Sequence, residues 1–312
     1  MPYKYHTADV FTDRAFGGNQ LAVIPDARGL SAEQMTAITR EFNYSETVFV
    51  LPPENPKHTR RVRIFTPGSE LPFAGHPTVG TAFVLAATGE IPLEGDETRI
   101  VFEEGVGPVP VLIRSKGGIP YFSQLSAAKM PERGPLTYDV DKIAAMVSLS
   151  RDDIDNAGPY AVEGVSAGLP FVFVPVRNLE ALGRARIRLD LWERELKTSW
   201  APEVYLFVEK EESRSRGGVK NGDAVLQVRM FAPNVGVPED PATGSAAAAF
   251  GGYLAWRSDR KDGTLTYTLH QGVEMGRPSK LLVETDVAGA EIRAVRVGGA
   301  SVLITSGTLH VP

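Results

Sequence analysis

The chain has no cysteine among its 312 residues. This absence excludes disulfides, thiolate metal sites and thiol nucleophiles together. Histidine is also scarce. His6, His58, His76, His270 and His310 show no metal-ligand spacing, so neither a metal nor any other cofactor is expected. No apolar run approaches the roughly 20 residues of a membrane span. Met1-Pro2-Tyr3-Lys4-Tyr5 does not read as a signal peptide, and a cytoplasmic protein without membrane contact is expected. Basic clusters dense enough for nucleic acid are missing. Arg184, Arg186 and Arg188 form a short run, but Asp190, Glu193 and Glu195 follow at once, which describes a solvated face. The glycine-rich turns match neither phosphate-loop nor dinucleotide fingerprints. What remains is a globular composition, 43% apolar and 23% charged with net charge −5, in a chain long enough for two domains.

The most informative feature present is a segment that occurs twice. Arg63, Phe65 and Pro67 recur as Arg229, Phe231 and Pro233, 166 residues further on (63 to 229). Glu70, Pro72 and Gly75 recur as Glu239, Pro241 and Gly244, 169 further on (70 to 239), so three residues are inserted between the blocks. A small-residue run follows each copy. The repeat predicts two pseudo-symmetric halves facing each other across a cleft, with boundaries at 1–125 (completed by 298–312) and 130–297.

The local pattern agrees with two such halves. Strands are expected at Tyr3–Val10, Leu21–Ile24, Thr47–Leu51 and Arg60–Thr66, with a helix from the N-cap Ser31 to about Phe42. Thr78–Thr88 and Thr243–Trp256 are expected to be helices buried on every side, because their residues are small and apolar all round. Pro131–Pro135 reads as a linker, and the charged stretch Glu211–Asp223 as an exposed hairpin loop. The fold class is therefore α+β, each half a mixed sheet wrapped around one central helix.

Asp9-Val-Phe-Thr, Gly18-Asn-Gln-Leu-Ala-Val, Asn43-Tyr-Ser-Glu46-Thr, Phe65-Thr-Pro, Ala74-Gly-His76-Pro-Thr and Glu239-Asp240-Pro-Ala-Thr-Gly-Ser245 occur in this order. With Gln271-Gly-x-Glu-Met-Gly276-Arg-Pro-Ser, they make a set that resembles the PhzF-like family of phenazine biosynthesis over nearly the whole chain. The resemblance implies the diaminopimelate-epimerase-type fold, an active site between the halves, and a homodimer. Epimerases of that fold place one cysteine before each motif glycine. Here those positions are Ala74 and Thr243, which rules out a two-thiol mechanism.

Three groups are left for acid–base chemistry: Glu46, His76 and Asp240. Glu46 by itself reads as a turn residue, but in a closed cleft desolvation would raise its pKa toward that of a general base. The family carries its principal acid/base at this position. His76 could cap or pack its helix; at the motif's helix start, where the other copy has Ser245, it could face a ligand. Asp240 could cap the second helix, yet its counterpart in the first copy is Leu71, so symmetry does not require a carboxylate there. The two helix starts, Gly75–Val79 and Gly244–Ala248, would present backbone N–H groups to an anion, with Gly75 and Gly244 allowing close approach in a turn conformation. Ser245 could add one hydrogen bond, and Asn19 resembles a family residue that lines the cleft. The expected function is a cofactor-independent isomerase moving a proton between carbons of a small carboxylate-bearing substrate. In the family's namesake reaction that substrate is trans-2,3-dihydro-3-hydroxyanthranilate. An amino-acid epimerase or racemase without cysteines, or an idle binding protein on the same fold, are the alternatives.

Overall fold

Gly75–Ala87 and Gly244–Ala255 are helices without a polar face, and all but a residue or two of each are buried. Their small side chains let strands approach closely. A Cβ on Gly80 would stand 2.5 Å from Val10 Cγ2 and 2.6 Å from Leu21 Cδ2, so only glycine fits at that helix–strand contact. These positions belong to a computed structural model that describes residues 2–135, 137–156 and 158–311. The chain divides into two compact units, Met1–Ala128 with Val297–Pro312, and Lys129–Arg296. Met1 and Pro312, the outermost residues of the expected first half, lie outside the described residues. Among the described residues no helix is long and apolar enough to cross a membrane.

In the first unit Ser301–His310 pairs antiparallel with Pro2–Val10, which pairs antiparallel with Asn19–Ile24. Asn19–Ile24 runs parallel to Glu46–Leu51, and this strand antiparallel to Arg60–Phe65. Arg60–Phe65 runs parallel to Glu97–Glu104, after which Gly107–Lys116 and Ile119–Ser126 continue as an antiparallel meander. Helix Ala32–Phe42 begins at Ser31, whose hydroxyl accepts from the Gln34 N–H while Gln34 Oε1 accepts from the Ser31 N–H, a closed capping box. Its Met35 and Ile38 pack with Ile24, Phe49 and Phe65 in a satellite core.

The second unit repeats the alternation. Glu163–Ser166 pairs antiparallel with Pro170–Pro175, which runs parallel to Glu203–Glu209. Asp223–Ala232 follows antiparallel, then Gly263–Gln271 parallel and Ser279–Ala288 antiparallel. Phe250 of the central helix stacks on Phe173 at 5.1 Å and meets Phe207 at 4.8 Å, an aromatic core with no counterpart in the other helix. The class is α+β, as the sequence indicated.

Two sequence expectations need correction. Pro131–Pro135 is not a bare linker, because Glu132–Arg133 forms a short strand paired with Val165 and Ser166. Glu211–Asp223 is not an open hairpin loop but two short helices, Glu211–Arg214 and Gly218–Asn221. Their charged residues mask buried Ser213 and Val219. The buried Glu209 carboxylate draws both inward, accepting from the Ser213 hydroxyl at 3.0 Å and the Val219 N–H at 3.2 Å.

Candidate active site

In the first unit Glu46 opens its strand three residues after Asn43, which ends the preceding helix in the left-handed region (φ 51°). Parallel pairing sets Glu46 beside Leu21, two residues from Asn19. Asn19 is placed by Gly18, whose φ of +62° and 2.3 Å virtual Cβ contact with the Val10 carbonyl oxygen admit no side chain. His76 is the second residue of the central helix. Its Nδ1 lies 3.2 Å from Asn19 Nδ2, and its Nε2 lies 3.4 Å from Glu46 Oε2. The structure thus brings together three of the expected site residues within one unit.

Burial decides the charge of this group. His76 is 4% exposed, and desolvation lowers its pKa from the ordinary value to about 3, against a hydrogen bond with the Gln20 backbone. At neutral pH the ring is uncharged. The short distance to Glu46 is therefore not an ion pair but a neutral imidazole beside a carboxyl group. Asn19 Nδ2 meets Nδ1, while Nε2 and Glu46 Oε2 approach to 3.4 Å without hydrogen-bond geometry.

In the second unit Asp240 closes the short strand Val237–Asp240 opposite Met230, and is 8% exposed. Its Oδ2 accepts from the Thr243 hydroxyl at 2.5 Å. Thr243 is the N-cap of the central helix, but its side chain makes no capping bond to the helix backbone. Ala74, the corresponding N-cap, has no hydroxyl to offer, so both helix starts are without side-chain caps. Ser245 is half-buried on the first turn. Gly75 and Gly244 differ from expectation: each is simply the first helical residue, and no special turn conformation is adopted there. Among the described residues no group of three or more His, Cys, Asp or Glu is placed to hold a metal ion.

Two residues near Asp240 escaped the sequence reading. Gln271, fully buried, donates from Nε2 to the Asp240 carbonyl oxygen at 2.8 Å and to Thr243 Oγ1 at 2.9 Å. Its Oε1 accepts from the Thr243 N–H at 3.2 Å. Tyr205 is fully buried too, its hydroxyl without a hydrogen-bond partner from the protein. Burial, reinforced by the Asp240 charge, raises its pKa well above the usual value, so the phenol stays protonated. A tyrosine inside an apolar strand gives no sequence signal beyond core packing, whereas Gln271 belongs to a segment that carried the family resemblance.

The sequence profile of the Phenazine biosynthesis-like protein family (PhzC-PhzF) matches residues 8–307. An uncharacterized isomerase of Mesorhizobium japonicum is 42% identical, with 99% of each chain covered. The trans-2,3-dihydro-3-hydroxyanthranilate isomerase of Pseudomonas aeruginosa is 32% identical, over 99% of this chain and 100% of the relative. A Bacillus anthracis phenazine biosynthesis protein of the PhzF family has the same fold, with TM-score 0.86, full coverage of both chains and 24% identity. Fold, profile and relatives together define an isomerase of α+β architecture. The chain belongs to the phenazine biosynthesis-like PhzF family.

Proposed function

We propose that this isomerase moves a proton between two carbons of a small cyclic carboxylate, with Glu46 as the group that takes and returns it. The observation that carries the reading is the Glu46–His76–Asn19 cluster. A carboxyl group is set 3.4 Å from a buried imidazole that is itself fixed by an amide. A neutral imidazole beside Glu46 does not neutralise the carboxylate, as a general base requires. His76, with its pKa lowered to about 3, is a poor proton acceptor at neutral pH. This weakens the alternative of a carboxylate–imidazole racemase. The reaction balances within the substrate. Glu46 removes a C–H proton, the electron pair spreads into the adjoining π system, and the same proton returns to a different carbon.

The relatives support a substrate reading. The proposed substrate is trans-2,3-dihydro-3-hydroxyanthranilate or a closely related cyclic amino carboxylate, as for the Pseudomonas aeruginosa enzyme at 32% identity. Its carboxylate would be held by the N–H groups of Gly244 and Ser245 and by the Ser245 hydroxyl. The Gly75–His76 start is a second candidate for anion contact. Asp240, held as an acceptor by Thr243, would polarise or relay protons. A homodimer is part of the proposal, to be checked by light scattering.

The test is turnover of trans-2,3-dihydro-3-hydroxyanthranilate in deuterium oxide. The wild type is expected to isomerise it, with solvent deuterium entering at carbon to the extent that the Glu46 proton exchanges. Glu46→Gln keeps shape but cannot accept a proton, and turnover should fall about 10²-fold or more with little change in binding. Wild-type turnover in this variant would remove Glu46 as the base. Binding without any turnover or exchange by the wild type would favour an idle binding protein for this ligand.

A further inference from the structure

The repeat extends further in space than in sequence. Arg61 and Gln227 occupy the same place in the two copies (61 plus 166). Arg61 stands opposite Glu103 in a parallel pair, and Gln227 stands opposite His270 in another. The next residues are Glu104 and Gln271, and each is followed by a glycine packed on the motif proline. A Cβ on Gly105 would lie 2.7 Å from Pro72 Cα, and one on Gly272 would lie 2.7 Å from the Pro241 carbonyl oxygen. Pro72 and Pro241 are themselves repeat partners. Both side chains reach toward the central helix of their own unit. Glu104 Oε1 is 2.6 Å from Thr78 Oγ1 on the first turn, and Gln271 holds Thr243 and Asp240.

We propose that Glu104 and Gln271 are equivalent positioning residues, one per copy, that fix the start of each central helix by donating a hydrogen bond to a threonine hydroxyl. In the second unit the donor is plain, since the Gln271 amide donates to Thr243 Oγ1, whose hydroxyl in turn donates a hydrogen bond to Asp240 Oδ2. In the first unit proton counting gives the same polarity. Thr78 Oγ1 lies 2.7 Å from the Ala74 carbonyl oxygen as well as 2.6 Å from Glu104, and one hydroxyl proton serves only one of them. A protonated Glu104 supplies the second proton, freeing Thr78 to donate to Ala74, the N-cap before Gly75 and His76. Burial of Glu104 agrees. Desolvation raises its pKa to about 8, Thr78 opposing, and its other oxygen is buried without a hydrogen-bond partner, which a charge would not tolerate. Glu104 then works as the acid equivalent of a glutamine. The charged and titratable groups around it are Glu54, His58, Arg61, Arg63 and Glu70 of the adjoining groove, Glu103 on its own strand and His76 on the helix. Arg61, Arg63 and His58 are already engaged by Glu54, Glu70 and Glu103, and none of these charges contributes to the shift of Glu104.

Glu104→Gln, Glu104→Leu and Gln271→Leu provide the test. Urea denaturation should show wild-type stability falling as pH rises from about 4.5 to about 8 relative to Glu104→Gln. The folded protein keeps a proton that the unfolded chain has lost. Parallel pH–stability curves for the two would overturn the inference. This readout needs no substrate and so remains valid even if the catalytic role of Glu46, on which the active-site meaning of the inference rests, is wrong. In turnover, Glu104→Leu and Gln271→Leu should each lower kcat about tenfold with little change in KM, and glutamine at 104 should rescue. An alkaline loss of kcat near pH 8 in the wild type should be absent from Glu104→Gln. Failure of glutamine to rescue, or wild-type kcat in both leucine variants, would also overturn it. If Glu104→Leu does not fold, the comparison of wild type with Glu104→Gln decides alone.

Discussion

In the first unit Arg63 donates to both oxygens of Glu70 at 2.7 Å, and its guanidinium lies 5.0 Å over the Phe65 ring. In the second, Arg229 donates to both oxygens of Glu239 at 2.8 Å and lies 5.0 Å over Phe231. The register is repeated too, Ile64 facing Leu71 and Met230 facing Asp240. The most visible repeated residues are therefore a fork-shaped ion pair and an aromatic stack that hold one turn against one strand. The three inserted residues fall between these blocks, where the second unit forms a short 3-10 turn, Pro233–Val235, ended by Gly236 at φ 78°. At three positions of the motif the copies differ, whereas Glu46 has a counterpart in Glu203, each one residue before the partner of the motif phenylalanine. Leu71 becomes Asp240, Ala74 becomes Thr243, and His76 becomes Ser245. Within the motif, repetition holds the scaffold, and its breaks set His76, Asp240 and Ser245 apart from their counterparts.

The sharpest way to break this comparison is to remove the shared arginine from each copy in turn. Arg229 is 2% exposed and also donates to the Leu182 and Ala185 carbonyl oxygens at 2.8 Å. Arg229→Met leaves Glu239 and those carbonyls unpaired, and should cost about 3–5 kcal/mol in urea denaturation. Arg63 and Glu70 are 22% and 42% exposed, so Arg63→Met should cost about 1 kcal/mol or less. Equal losses would mean that the two ion pairs are not set apart by burial.

The broken positions can be tested by restoring symmetry. Asp240→Leu puts the first copy's residue into the second and removes the acceptor of the Thr243 hydroxyl. If the carboxylate serves chemistry, turnover should fall about tenfold or more while the two-state transition persists. A variant that loses stability but turns over normally when folded would return Asp240 to a capping role.

A pH effect concerns His76 and has a definite sign. Its folded-state pKa is lowered to about 3, so between pH 6.5 and 3 the unfolded chain binds a proton that the folded protein does not. Stability should decline as pH falls through this window, by at most about 1.4 kcal/mol per unit. Substituting His76→Asn should flatten that part of the curve. An unchanged slope would show that the ring titrates normally in the folded protein.

How much of this was legible in the sequence depended on which physical signal each element carried. The two central helices were clear because an all-apolar, small-residue run has few other homes, and Ser31 was readable as an N-cap. Glu46, His76 and Asp240 were found through family motifs, but their partners were not. Gln271 and Glu104 sit at strand ends and meet their helices only after parallel pairing brings residues about 30 apart together, a contact with no local periodicity. Glu104 carries no sequence signal of its own, because only burial turns it into a neutral donor. The stretch Glu211–Asp223 misled for the opposite reason. Its charge suggested solvent, while a single buried carboxylate, Glu209, organised it from below.

The finest distinction between the copies is the residue after each motif glycine. Ser245 stands where the first copy has His76, so the start of helix Gly244–Ala255 carries a hydroxyl donor in place of an imidazole buried against Glu46. If the uncapped N–H groups there bind a carboxylate, most of the affinity comes from the backbone and the helix dipole, with Ser245 adding one bond to a charged group. Ser245→Ala should then weaken binding of a substrate-like carboxylate by roughly 1 kcal/mol, about fivefold in Kd by calorimetry. Raising salt should weaken both proteins in parallel, because the screened backbone contribution is common to them. Unchanged affinity in the variant would take Ser245 out of the site and leave the helix start as the anion's partner. Loss of all binding would mean instead that the hydroxyl, and not the backbone, does the recognising.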